Sequence, residues 1–101
     1  MISRKAASML SLAKRAGKLI SGEDTVIMSI RDRACCLVII AEDAAENTKN
    51  KILSRAGTAD VDCIVKGMRE ELSSSAGLYN RTVFAVTDSG FAKAIKAELL
   101  L

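Results

Sequence analysis

From Ala34 to Ala41 the chain reads Ala-Cys-Cys-Leu-Val-Ile-Ile-Ala with no charged or amide side chain, while on both sides of it apolar residues recur at helical spacing. A run this short and this rich in β-branched residues predicts a central strand over Cys35 to Ala41, covered on both faces. Only helices packed above and below the sheet can provide that cover, so the run commits the chain to layers. The expected architecture is α/β, a three-layer α/β/α sandwich around a small mixed or mainly parallel sheet.

The flanking segments fit this scheme. Ala6, Met9, Leu10 and Ala13 recur at i, i+3, i+4 and i+7, which predicts an amphipathic helix from about Ser3 to Ala16, ended by Gly17. Leu19 and Ile20 form a short extended piece. Ser21 and Asp24 then make an S-x-x-D capping pattern for a helix that carries Val26, Ile27 and Ile30 inward and reaches Arg33. After the central strand, Asp43 and Glu46 stand where they can cap a helix with Ile52, Leu53 and Ala56 on its apolar side, stopped by Gly57. Val61 to Val65 reads as a strand, Arg69 to Ala76 as a short helix and Thr82 to Thr87 as a strand. Asp88 caps a last helix with Phe91, Ile95 and Leu99 facing inward.

At 101 residues the chain suits one domain over residues 1–101. Its longest apolar run falls far short of the roughly 20 residues that span a bilayer, so no membrane partner and a cytoplasmic location are expected. Three cysteines, two of them adjacent, argue against a disulfide framework and read as buried, reduced thiols in strands. With no histidine, a histidine base and a histidine-containing zinc site are excluded. Neither a dinucleotide fingerprint nor a phosphate loop is present, so the chain reads as non-enzymatic with no cofactor and no metal.

A net charge of +3 is modest, and its distribution says more. Arg4, Lys5, Lys14, Arg15 and Lys18 precede Gly22 without an intervening acid, and Lys49, Lys51 and Arg55 form a second basic group. The segment Lys14-Arg15-Ala16-Gly17-Lys18-Leu19-Ile20-Ser21-Gly22-Glu23-Asp24 joins a basic helix end to a glycine turn that opens a helix. Unpaired N–H groups at such a turn attract a polyanion, and Glu23 or Asp24 could accept from base amino groups while Lys14, Arg15 and Lys18 hold phosphates. The same acids could equally serve only the helix dipole. Glu42 and Asp43 follow the carboxyl end of the central strand, where open α/β sheets bind ligands, although Asp43 could simply be a helix cap.

Three separated motifs carry a resemblance: Leu12-Ala-Lys-Arg-Ala-Gly-Lys-Leu-Ile-Ser-Gly-Glu-Asp24, Leu37-Val-Ile-Ile-Ala-Glu-Asp-Ala44 and Phe84-Ala-Val-Thr-Asp-Ser-Gly-Phe91. In this order they resemble the kink-turn RNA-binding ribosomal protein family shared by archaeal and eukaryotic ribosomes, and within it a small bacterial YlxQ-type branch. The resemblance implies a four-stranded sheet between helices and structured RNA, ribosomal RNA included, as partner, with no DNA expected. It also implies two contact segments. One is the turn of Ser21, Gly22, Glu23, Asp24 and Thr25 with Met28 a helical turn further on. The other is the loop from Gly77 to Thr82, with Tyr79 as a stacking surface, Asn80 beside it and Arg81 as a phosphate contact. Glu42 and Asp43 lie in the family loop between them. The chain departs from the family's Gly-x-Asn-Glu and following lysine at Asp24, Thr25 and Met28, which removes base-reading groups. Its Ser73-Ser74-Ser75 replaces a Gly-x-Ala, a change expected to affect packing alone. The alternative partner is a protein of the ribosome or transcription machinery, bound by a fold that has given up kink-turn recognition.

Overall fold

The computed structural model describes all residues from 1 to 101. A leading helix α1 (Arg4–Arg15) is followed by strictly alternating strands and helices: β1 (Leu19–Ser21), α2 (Glu23–Arg31), β2 (Leu37–Ile40), α3 (Glu46–Thr58), β3 (Asp62–Val65), α4 (Arg69–Ser75), β4 (Val83–Val86) and α5 (Ser89–Leu99). The strands lie in the order β1-β4-β2-β3. β2 and β3 are parallel, and β4 runs antiparallel to both its neighbours, β1 and β2. The carboxyl ends of β1, β2 and β3 therefore share one rim of the sheet with the amino end of β4.

Burial alternates along the two central strands, as the two-residue period of a strand requires. Leu37 and Ile39 of β2, with Phe84 and Val86 of β4, pack under α1, α4 and α5 beside Leu10, Leu72 and Ile95. Val38, Ile40, Val83 and Ala85 face the other way, onto Val26 and Ile30 of α2 and Ile52 and Ala56 of α3. Every residue of β2 and β4 is buried, and each large apolar side chain so enclosed contributes about 1.5–3 kcal/mol. The expected sandwich with a mixed four-stranded sheet is the observed one.

Several boundaries differ, each for a local reason. The central strand is Leu37–Ile40, so Cys35 and Cys36 precede it; Cys35 is buried, but Cys36 is exposed and Cys63 only half-buried. Ser21 is taken up by β1, and α2 starts from Gly22 with no side-chain cap instead of the S-x-x-D pattern. Asp43 does not cap α3, whose N-cap is Ala45, because its carboxylate accepts from the Arg69 N–H at 2.8 Å. Gly57 lies inside α3. The chain turns instead at Asp60 (φ 58°), with the Val61 N–H donating to Ala56 O and that of Asp60 to Gly57 O. α2 closes in the same way at Arg33 (φ 54°) and so stops at Arg31. Asp88 caps α5 as expected, accepting from the Phe91 N–H at 2.8 Å.

Candidate nucleic-acid interface

Two segments far apart in the chain meet at the shared rim because β1 pairs with β4. Ser21 stands opposite Phe84, and the Gly22 N–H continues the ladder by donating to Val83 O at 3.0 Å. Gly22 has φ 101° and ψ 142°, a conformation that glycine alone adopts without strain. The turn delivers the chain into α2 with the first-turn N–H groups of Glu23, Asp24 and Thr25 lacking any protein acceptor. A β-carbon on Gly22 would stand 3.1 Å from Arg81 Nη1 and 3.9 Å from the Thr25 hydroxyl, so the guanidinium lies directly across the turn. Arg81 is exposed and takes part in no ion pair, which leaves its charge beside the positive end of the α2 dipole.

The loop that presents Arg81 is built from the end of α4. The Leu78 N–H donates to Ser73 O and the Gly77 N–H to Ser74 O, closing the helix with Gly77 at φ 71°. The buried Ser73 hydroxyl then accepts from the Arg81 N–H at 2.8 Å and donates to Arg81 O at 3.0 Å. The serine run thus does more than pack, contrary to expectation: Ser73 fixes the backbone of the residue that covers Gly22. Tyr79 is 90% exposed at the tip, available for stacking. Asn80 sits at φ 53°, with its side-chain oxygen accepting from Arg69 Nη1 at 3.3 Å.

Arg69, which sequence reasoning did not single out, ties the rim's loops together. Its Nη2 donates to Asp43 O at 2.7 Å, its Nε to Asp43 Oδ2 at 3.3 Å and its Nη1 to Asn80. These bonds, led by the one from the Arg69 backbone N–H, hold the Asp43 carboxyl below its usual pKa. Asp43, Arg69, Ser73, Tyr79 and Asn80 line an open cleft of about 600 Å³ next to the loop. Glu42 is engaged as well: its Oε2 accepts from the Gly67 N–H at 2.7 Å, and its own N–H donates to Gly67 O, joining the loops after β2 and β3. Lys51 of α3 pairs with Glu23 at 3.6 Å, bringing a further cation to the α2 amino end. Its position follows from the packing of α3 against α2, which no local pattern announces. Asp24 is exposed, and Met28 is 52% exposed one turn along.

Lys14, Arg15 and Lys18 are not part of this assembly. Lys18 precedes β1 and Gly22 follows it, so a strand advancing ~3.3 Å per residue puts them at opposite rims, ~13 Å apart. Lys14 and Arg15 lie further back, in the last turn of α1.

A rim with an uncapped helix start, an unpaired guanidinium and an exposed aromatic can hold a phosphate at Gly22 and stack a base on Tyr79. The chain is 40% identical over 93 residues to the RNA-binding protein YlxQ of Enterococcus faecium, covering 92% of this chain and 89% of that protein. It is 43% identical over 84 residues to the RNA-binding protein YlxQ of Bacillus subtilis (strain 168), covering 83% and 84%. A solved structure from Bacillus halodurans C, of a protein with unknown function, superposes with TM-score 0.93 at 33% identity, over 98% of this chain and 100% of that one. The Giardia lamblia 15.5kD RNA binding protein shares the fold, with TM-score 0.75 at 14% identity over 93% and 84% of the two chains. Residues 4–96 match the model of the ribosomal protein L7Ae/L30e/S12e/Gadd45 family, and the chain belongs to that family.

Proposed function

We propose that this chain is a non-enzymatic RNA-binding protein that grips structured, kink-turn-like RNA at the rim formed by the Gly22 turn and the Gly77 to Thr82 loop. The observation that carries the reading is the unpaired Arg81 guanidinium lying across the open amino end of α2. A backbone phosphate placed there meets a full cation and the free N–H groups of Glu23, Asp24 and Thr25 together. Asp24, exposed and without a cationic partner, repels a second bare phosphate and favours a base edge at that point. Tyr79 supplies the stacking face. The names of the two YlxQ relatives support an RNA partner, and the family supports ribosomal RNA as the first RNA to try.

Fluorescence anisotropy with a labelled kink-turn RNA tests this. Binding is expected to weaken with salt by a log–log slope of roughly 0.7–0.9 per neutralised phosphate, and Arg81→Ala is expected to weaken it about tenfold, the loss of one charge-assisted contact. Binding that ignores both salt and Arg81 removes the reading. Co-sedimentation with ribosomal subunits, before and after nuclease treatment, distinguishes an RNA contact from a protein one.

A further inference from the structure

We propose a second RNA-binding surface at the opposite rim of the sheet, where Lys14, Arg15 and Lys18 of the α1 end contact the phosphates of an RNA segment separate from the one at Gly22. The two rims differ in how their cations are used. Near Gly22, Lys51 is paired with Glu23, Lys49 with Glu46 and Arg69 with Asp43, and Arg81 is free, as is Lys66 after β3 at the far end of that rim. At the other rim, Lys14, Arg15, Lys18 and Arg33 are all exposed and none is in an ion pair or side-chain hydrogen bond.

The fold brings Lys14, Arg15 and Lys18 to one corner of this rim. α1 closes with the Lys18 N–H donating to Ala13 O and the Gly17 N–H to Lys14 O, which places Lys18 at the mouth of β1. Lys18 O accepts from the Thr87 N–H, and the Cys36 N–H donates to Val86 O, so the start of β1, the end of β4 and the approach to β2 sit side by side. Arg33, three residues before Cys36, stands at the same rim but on the other face of the sheet, because α2 packs on the face away from α1. Most nearby carboxylates are engaged: Asp32 with Arg31, Asp62 with Lys96 and Asp88 with the α5 amino end. Asp60 is the exception, at the end of α3.

Complementing the helix dipoles accounts for Lys14 and Arg15, which sit in the last turn of α1. It does not account for Lys18, which lies beyond the last turn of α1. Three free cations at the α1 end, with no aromatic side chain among them, suit a phosphate backbone read by shape and charge rather than by base. A regular RNA duplex has that chemistry, whereas a kinked, partly unstacked RNA suits the Gly22 rim.

The test uses the full chain and two probes, a short blunt RNA duplex and a kink-turn RNA of minimal length. In Lys14→Gln/Arg15→Gln/Lys18→Gln, duplex affinity is expected to fall at least tenfold and its salt slope by about 2 to 3, roughly 0.9 for each contact removed. The charge-retaining Lys14→Arg/Arg15→Lys/Lys18→Arg should restore binding, and Arg81→Ala should leave duplex affinity within twofold. The proposal is overturned if the triple Gln variant binds duplex like wild type, if Arg81→Ala costs as much as the triple variant, or if wild type binds no duplex. Insensitivity of kink-turn binding to Arg81→Ala is a different result, which removes the Gly22 reading and leaves the duplex surface standing. Unchanged melting temperatures in all variants show that folding is not what is being read.

Discussion

Ser73 and Arg81 are locked together through one hydroxyl that both accepts from the Arg81 N–H at 2.8 Å and donates to Arg81 O at 3.0 Å. Because Ser73 is buried, removing its oxygen leaves an N–H and a carbonyl unsatisfied, at about 1–3 kcal/mol. Ser73→Ala should therefore lower the melting temperature by several degrees, at roughly 4–8 °C per kcal/mol for a domain of this size. It should also weaken RNA binding, since the backbone that aims Arg81 is no longer fixed.

Gly22→Ala acts on the same contact from the other side. The new methyl group enters a left-handed backbone conformation and meets Arg81 Nη1 at 3.1 Å. The strain costs about 1–3 kcal/mol, and the flexible guanidinium moves aside. RNA affinity should fall at least as far as in Arg81→Ala, with the fold retained by circular dichroism.

Asp60→Gly should stabilise the protein. Asp60 closes α3 at φ 58°, where glycine is relieved of the β-carbon penalty. The expected gain is about 0.5–1 kcal/mol, measured as a higher urea midpoint with an unchanged slope.

Acid should loosen the rim before it unfolds the core. The Asp43 carboxyl is held below its usual pKa by hydrogen bonds, first that from the Arg69 N–H. A depressed carboxyl pKa contributes stability that is present above the unfolded value, about 3.9, and is lost as pH falls through the folded value. Tyr79, the only tyrosine in a chain without tryptophan, reports on the neighbouring loop by fluorescence. The transition should begin below about pH 4 and should disappear in Asp43→Asn.

The three thiols should separate by rate. Cys36 is exposed and should react promptly with a disulfide reagent at pH 8, whereas Cys35 is buried and its pKa is raised. Cys63 is pushed up to about 11 by burial and should be slow as well. One fast equivalent in the native state and three after denaturation is the expected count. Since folding keeps the Cys63 proton on, stability should also decline as pH climbs past the ordinary thiol value of 9.0.

The layers and the order of elements were legible because they rest on periodicity, and the apolar run before Glu42 left little choice for the centre of the sheet. Helix ends were less legible. Gly57 looked like a stop, yet Asp60 takes the left-handed position, since aspartate tolerates that geometry and the chain must turn where α3 has reached the far rim. The Gly22 turn and the Gly77 to Thr82 loop could be named from motifs, but their contact is a product of β1–β4 pairing. Lys14, Arg15 and Lys18 were assigned to the turn because they are near it in sequence, and an extended strand separates what sequence places together. Arg69 was invisible as a tie between loops, because its partners Asp43 and Asn80 stand 26 and 11 residues away.

The pairing of β1 with β4 has a consequence for timing. Leu19 cannot meet Val86 until every element between them has been synthesised, so the edge strand waits, unpaired, while they are made. A nascent or truncated product that stops short of Arg81 would present the glycine turn without the arginine that covers it. On the proposed reading, RNA capture at that rim is in this way reserved for chains that already carry β4.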